Sequence, residues 1–126
     1  MDKCSFLKTI YCGDTNINQI DVTNNKLLEV LSCRFTGLDE LNVTKNPALR
    51  ILNIRRCEIY DLDLSFNESL EFLDCSENKI SNLNLILNKK LSYLNCLSNK
   101  NLVEVIIDKE KTIKEVFSNF KLFSPR

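Results

Sequence analysis

The sequence predicts a parallel β solenoid, one domain over residues 1–126 built from five stacked coils of 21 residues. Three observations predict it. Leu7, Leu28, Leu49, Leu70 and Leu91 recur at a 21-residue spacing, the mark of a repeat architecture. With these leucines as position 1, apolar residues fall at positions 4, 6, 11, 14 and 16 of each repeat, as in Leu49, Leu52, Ile54, Ile59, Leu62 and Leu64. Ungapped, only Asn101 and Glu104 break the pattern, and one inserted residue near Lys100 restores it with Leu102, Val105 and Ile107. The third observation is the step of two between positions 4 and 6, and again between 14 and 16, which is strand alternation and not helical spacing.

The repeats therefore run 7–27, 28–48, 49–69, 70–90 and 91–111. Each has a short strand near positions 3 to 7 and a second extended segment near positions 13 to 17. Equivalent residues of stacked coils would lie about 4.8 Å apart, the spacing of hydrogen-bonded strands. A single coil cannot bury its own apolar edge, so stability must come from stacking. With only two glycines and two prolines, the chain has neither a flexible linker nor a composition break at which to place a second domain.

The turns have their own residues. Asn25, Asn46, Asn67 and Asn88 all occupy position 19, where an amide can bond the backbone groups that a turn leaves unpaired. Thr15, Thr36, Cys57, Asn78 and Asn99 do the same at position 9, less uniformly. Cys12, Cys33, Cys75 and Cys96 sit at position 6 facing the core, with Ile54 in the fifth place. Their parallel side-chain vectors make a disulfide torsion hard to reach, so they read as buried free thiols. Cys4, near the start, reads as the more exposed and reactive one.

Leu49-x-x-Leu52-x-Ile54-x-x-Cys57-x-Ile59 and Leu70-x-x-Leu73-x-Cys75-x-x-Asn78-x-Ile80 resemble the leucine-rich-repeat signature. Over residues 7 to 107 the chain is similar to the bacterial 21-residue, cysteine-containing subclass, internalin-like proteins and many surface proteins of Bacteroidetes among them. The resemblance implies a right-handed, curved solenoid with its parallel sheet on the concave side. It also implies use in adhesion and protein recognition, and a secreted or cell-surface location, although no signal peptide or membrane span is visible in the sequence itself.

After the last repeat, Ile113, Val116, Phe117 and Phe120 share one helical face, which predicts a C-terminal helical cap within 108–126. The other end has only Cys4 and Phe6 ahead of the first repeat leucine. So thin a cover suggests either a fragment of a longer array or self-association through that end.

Catalysis is not expected. The 126 residues include no histidine, which removes the commonest general base and the Ser/His and Cys/His pairs. No phosphate-binding glycine loop and no CxxC pair occurs, so no cofactor or metal is expected. Carboxylates alternate with amides in the position 15 row, Asp21, Asn42, Asp63 and Asn84, and the two acids stand two coils apart and read as a solvated face. The sequons at Asn42 and Asn67 matter only in a eukaryotic secretory route. Equal numbers of basic and acidic residues, 17 of each, give no field that favours nucleic acid, and nothing predicts membrane insertion.

The candidate binding face is the sheet surface. Position 3 reads Thr9, Val30, Ile51, Phe72, Tyr93, a stripe that becomes aromatic along the rod, and position 5 begins with Tyr11. Arg34, Arg55 and Arg56 lie at positions 7 and 8 without an obvious partner, and Leu97 follows Tyr93. Arg50, between Glu29 and Glu71, is expected to be used in cross-strand pairing. The candidate binding residues are thus Phe72, Tyr93, Leu97, Arg34, Arg55, Arg56, Tyr11 and Ile51, for an unidentified protein partner. The alternative is a structural spacer, or the terminal piece of a longer array, with no partner of its own.

Overall fold

The computed structural model describes residues 4–119. Its strands are β1 (Thr9–Tyr11), β2 (Val30–Ser32), β3 (Ile51–Asn53), β4 (Phe72–Asp74), β5 (Asn82–Asn84), β6 (Tyr93–Asn95), β7 (Glu104–Ile106) and β8 (Glu115–Phe117). Six of them form one parallel sheet in the order β1-β2-β3-β4-β6-β8. The register follows the repeat. Ile10 pairs with Leu31, Leu31 with Leu52, Leu52 with Leu73 and Leu73 with Leu94.

The inner strands β2 to β7 each bury their middle residue. Leu31, Leu52, Leu73 and Leu94 are fully buried, as are Leu28, Leu49, Leu70 and Leu91 at position 1. Together with Ile59, Leu64, Ile80 and Val105 they make one continuous core along the rod. At the β1 end, Phe6 stands exposed, and so does Leu7 although its equivalents Leu28, Leu49, Leu70 and Leu91 are fully buried. The second extended segment becomes a ladder only in the last two coils, where β5 pairs with β7. There Leu83 faces Val105, one residue beyond the 21-residue step, which places the insertion where the sequence called for it.

The expected helical cap is corrected. Residues 115–117 form β8, which adds to β6 as the sixth strand of the sheet, and no α-helix forms among the described residues. Val116 stands opposite Leu94, again one residue beyond the repeat step, and Cys96 N donates to Phe117 O at 2.8 Å. Ile113 packs against the core as a position 1 residue would. The reason is geometric. A step of three joins Ile113 to Val116 on a helical face, but it also joins positions 1 and 4 of a coil, and the free edge of β6 offers hydrogen bonds that an isolated short helix would lack. Phe120 and the remainder of the expected cap to Arg126 lie outside the described residues.

Two amide ladders brace the turns. Asn46 Nδ2 donates to Val22 O and Asn25 O at 2.9 and 2.8 Å, and Asn67 and Asn88 repeat the arrangement one and two coils on. At position 9, Asn78 donates through Nδ2 to Ile54 O and accepts from Ile59 N through Oδ1, and Asn99 does likewise with Cys75 O and Ile80 N. Cys57 fits the same row: its buried thiol bonds Cys33 O and touches Thr36 Oγ1.

The position 6 thiols are free, with Cys33, Cys75 and Cys96 buried and Cys12 half-buried. Burial raises all three buried thiols, Cys33 further because Cys12 lies near it, and brings Cys96 to about 11 from an ordinary 9.0. A thiol that ionises less readily folded than unfolded contributes stability that is complete below the unfolded pKa and is lost as pH rises through the folded one. Denaturant midpoints should therefore be flat up to about pH 9 and fall steadily towards pH 11. Cys96→Ala should make that fall shallower, and a thiol reagent at neutral pH should modify these cysteines only after unfolding. An unchanged slope in Cys96→Ala would remove the thiol from the account.

Candidate binding face

The outward side chains of the six-stranded sheet sort into two groups. In the first, Phe72 and Tyr93 sit opposite each other in β4 and β6, and parallel pairing at the strand spacing stacks their rings face to face, 4.3 Å apart and 6° from parallel. Phe117 leans on Tyr93 at 5.7 Å and 47°. Phe72 and Tyr93 are consequently half-buried, as are Ile51, which pairs with Phe72 in register, and Leu97, whose N–H donates to Asn95 Oδ1. The stack presents an edge of aromatic and aliphatic surface with little conformational freedom left to lose.

The second group gathers on a residue that sequence reasoning passed over. The guanidinium carbons of Arg34, Arg55 and Arg56 lie 5.9, 5.7 and 5.5 Å from the centroid of the Phe35 ring, within cation–π range. Phe35 takes the left-handed backbone conformation, φ 56°, as do Asp14, Arg56, Glu77 and Ser98, the position 8 residues of the other coils. Neither glycine nor asparagine occupies that row, and only Asp14 in it is a residue that tolerates the left-handed region, so the row as a whole was not marked in the sequence.

The expectation that these arginines lack partners is corrected for two of them. Arg34 Nε lies 3.8 Å from Asp14 Oδ2, and Arg55 contacts Glu77 Oε1 through Nε at 2.9 Å and Nη2 at 2.8 Å. Both pairs depart from the 21-residue register by one residue, which is why a row-by-row reading did not find them. Arg50 does pair with Glu29 and Glu71, as its position between them suggested. Arg56 makes no ion pair among the described residues.

A concavity of about 400 Å³ opens beside Arg34, lined by Tyr11, Gly13, Asp14, Ser32 and Asn53. Tyr11 is 76% exposed there, and Gly13 is needed because a Cβ would come within 2.9 Å of Arg34 O. On the far side of the coils, hydrogen bonds from the Thr23 and Ser65 hydroxyls and N–H groups hold the Asp21 and Asp63 carboxyls below their ordinary value. Those carboxylates fasten their own turns, with Thr23 Oγ1 at 2.6 Å from Asp21 Oδ1.

A solved structure similar to this chain is the functional domain of InlJ from Listeria monocytogenes, which includes a cysteine ladder. The TM-score is 0.81 at 25% sequence identity, over 95% of this chain and 28% of that one. The chain is a cysteine-ladder leucine-rich-repeat solenoid. Its ladder is the row Cys12, Cys33, Cys75 and Cys96, and its leucine-rich repeats are the coils that stack on β1 to β6. No protein-family model and no curated protein matches the sequence. The leucine-rich-repeat fold leaves one sheet face open, and both side-chain groups described above stand on that face or at the rim where the coil leaves it.

Proposed function

We propose that this leucine-rich-repeat module recognises a protein partner through the concave sheet face, with Phe72, Tyr93, Leu97, Ile51, Tyr11 and the three arginines as the contact residues. The observation that carries the reading is the partly exposed, pre-stacked Phe72–Tyr93 pair on a sheet face that no other described element covers. A rigid aromatic surface loses little entropy when it is buried, and aromatic and arginine side chains most often dominate binding energy. The likeness to InlJ supports the general class of use, and a surface or secreted location fits it.

The test is capture of a partner from the source organism, followed by affinity measurement on Phe72→Ala and Tyr93→Ala. Each should weaken the complex by about 1 to 3 kcal/mol with folding largely retained. Added salt should slow association through the arginines more than it speeds dissociation. Asn24→Ala and Asn82→Ala, away from the face, should leave the complex intact. If only these last two disrupt it, the face is wrongly assigned.

A further inference from the structure

We infer that Arg34 and Arg56, gathered on the ring of Phe35, form a site for a tetrahedral oxyanion, a phosphate or sulfate ester carried by the partner. The inference rests on the recognition reading only in supposing that a partner carries the group.

The three guanidiniums share one aromatic ring, so they are held close together although like charges repel. Two carboxylates answer them. Glu77 holds Arg55 with two short hydrogen bonds from Nε and Nη2, which fixes that arginine as part of the wall. Asp14 stands 3.8 Å from Arg34, a distance that leaves the fork of Arg34 without a close acceptor there. Arg56 makes no ion pair among the described residues, so three guanidiniums of the cluster meet two directly paired carboxylates.

The surroundings supply neutral donors and room. Ser32, Asn53 and Tyr11 line the concavity beside Arg34, and Asn53 Oδ1 accepts from Arg55 N–H, which leaves Nδ2 as the donor of that side chain. On the other side, Arg56 borders a groove of about 490 Å³ lined also by Lys100, by Lys79 in its ion pair with Glu58, and by Glu77, which Arg55 holds. Planar guanidinium forks match the oxygen spacing of phosphate and sulfate, and two forks from adjacent coils can share one such group.

Phe35 is the positioning residue. A bulky side chain in the left-handed region is uncommon, and of the five residues that share this backbone Phe35 is the aromatic one on which the cations converge. Asparagine accepts that backbone more readily, so Phe35→Asn removes the platform while easing the turn.

The test is titration of the intact protein with inorganic phosphate and with sulfate, followed by the arginine side-chain NMR signals, against chloride at matched ionic strength and against acetate. Saturable shifts of the Arg34 and Arg56 signals are expected with phosphate, sulfate or both. The one that saturates tells which ester the site takes, and phosphate affinity should rise as phosphate passes from monoanion to dianion while sulfate stays flat. Arg56→Gln, Arg34→Gln and Phe35→Asn should each weaken binding about tenfold or more, with Lys45→Ala unchanged. Thermal unfolding of Phe35→Asn shows that the loss is not unfolding. Shifts that chloride reproduces, or binding that survives all three substitutions, would overturn the site. Either result leaves the partner test on Phe72 and Tyr93 standing, since that test needs no anion.

Discussion

Asn67→Asp is expected to destabilise the protein by about 3 to 5 kcal/mol at neutral pH, although it changes one NH2 group for one oxygen. Asn67 is fully buried, and its Nδ2 donates to Val43 O and Asn46 O at 2.9 and 3.0 Å. Those two carbonyls fix which way the amide points. They also leave its Oδ1 buried without a partner among the described residues, so the side chain is held for its donors alone. A carboxylate there would set an acceptor against two acceptors in a buried turn. The aspartate would ionise only at a pH well above its unfolded value of about 3.9. Its folded pKa being raised, the variant should be closest to the parent in acid and should weaken as pH rises. Denaturant unfolding at pH 4 and pH 7 reads both. Asn67→Ala, which leaves no charge, should cost about 1 to 3 kcal/mol for two lost hydrogen bonds. Equal stability of Asn67→Asp and Asn67→Ala at pH 7 would contradict the ladder.

Leu52→Ala should cost about 2 to 5 kcal/mol, the range for a leucine whose cavity cannot collapse. Leu52 is wholly buried in β3, paired with Leu31 in the preceding coil and Leu73 in the next, so the missing methyl groups are lost to both neighbours at once. Ile51, one residue earlier, points to the opposite face and is half-buried. Ile51→Ala should cost clearly less. The contrast between adjacent residues is the period of a strand expressed in stability, and a Leu52→Ala loss below about 1 kcal/mol would mean that position 4 does not face the core.

What the sequence made legible was everything that repeats in step. Leucine at positions 1 and 4, cysteine at position 6 and asparagine at position 19 each recur at 21 residues, and each row becomes a column of contacts between coils. What it left illegible falls outside that step. Asp14 meets Arg34 and Glu77 meets Arg55 one residue off register, because charged side chains at the rim reach diagonally. The left-handed backbone at position 8 is imposed by the coil and not advertised by glycine, so Phe35 carried no mark of its position. The end of the chain misled for a different reason. Ile113 and Val116 satisfy helical and coil spacing alike, and only the free edge of β6 decides between them.

The candidate face is equally mixed in how far it could be read. The aromatic row was visible because Phe72 and Tyr93 occupy equivalent positions. Its third member was not, because Phe117 belongs to the segment read as a helix and reaches Tyr93 from a different row.

Hydroxyl-radical footprinting of the partner complex tests the central claim most directly, because aromatic side chains report on opposite sides of the same solenoid. Tyr11, Phe72 and Tyr93 stand on the sheet face, while Phe66 lies outside the sheet strands and is exposed. Recognition through the concave face predicts that the partner protects Tyr11, Phe72 and Tyr93 from oxidation and leaves Phe66 as reactive as in the free protein. Protection of Phe66, with the sheet-face residues unchanged, would contradict it.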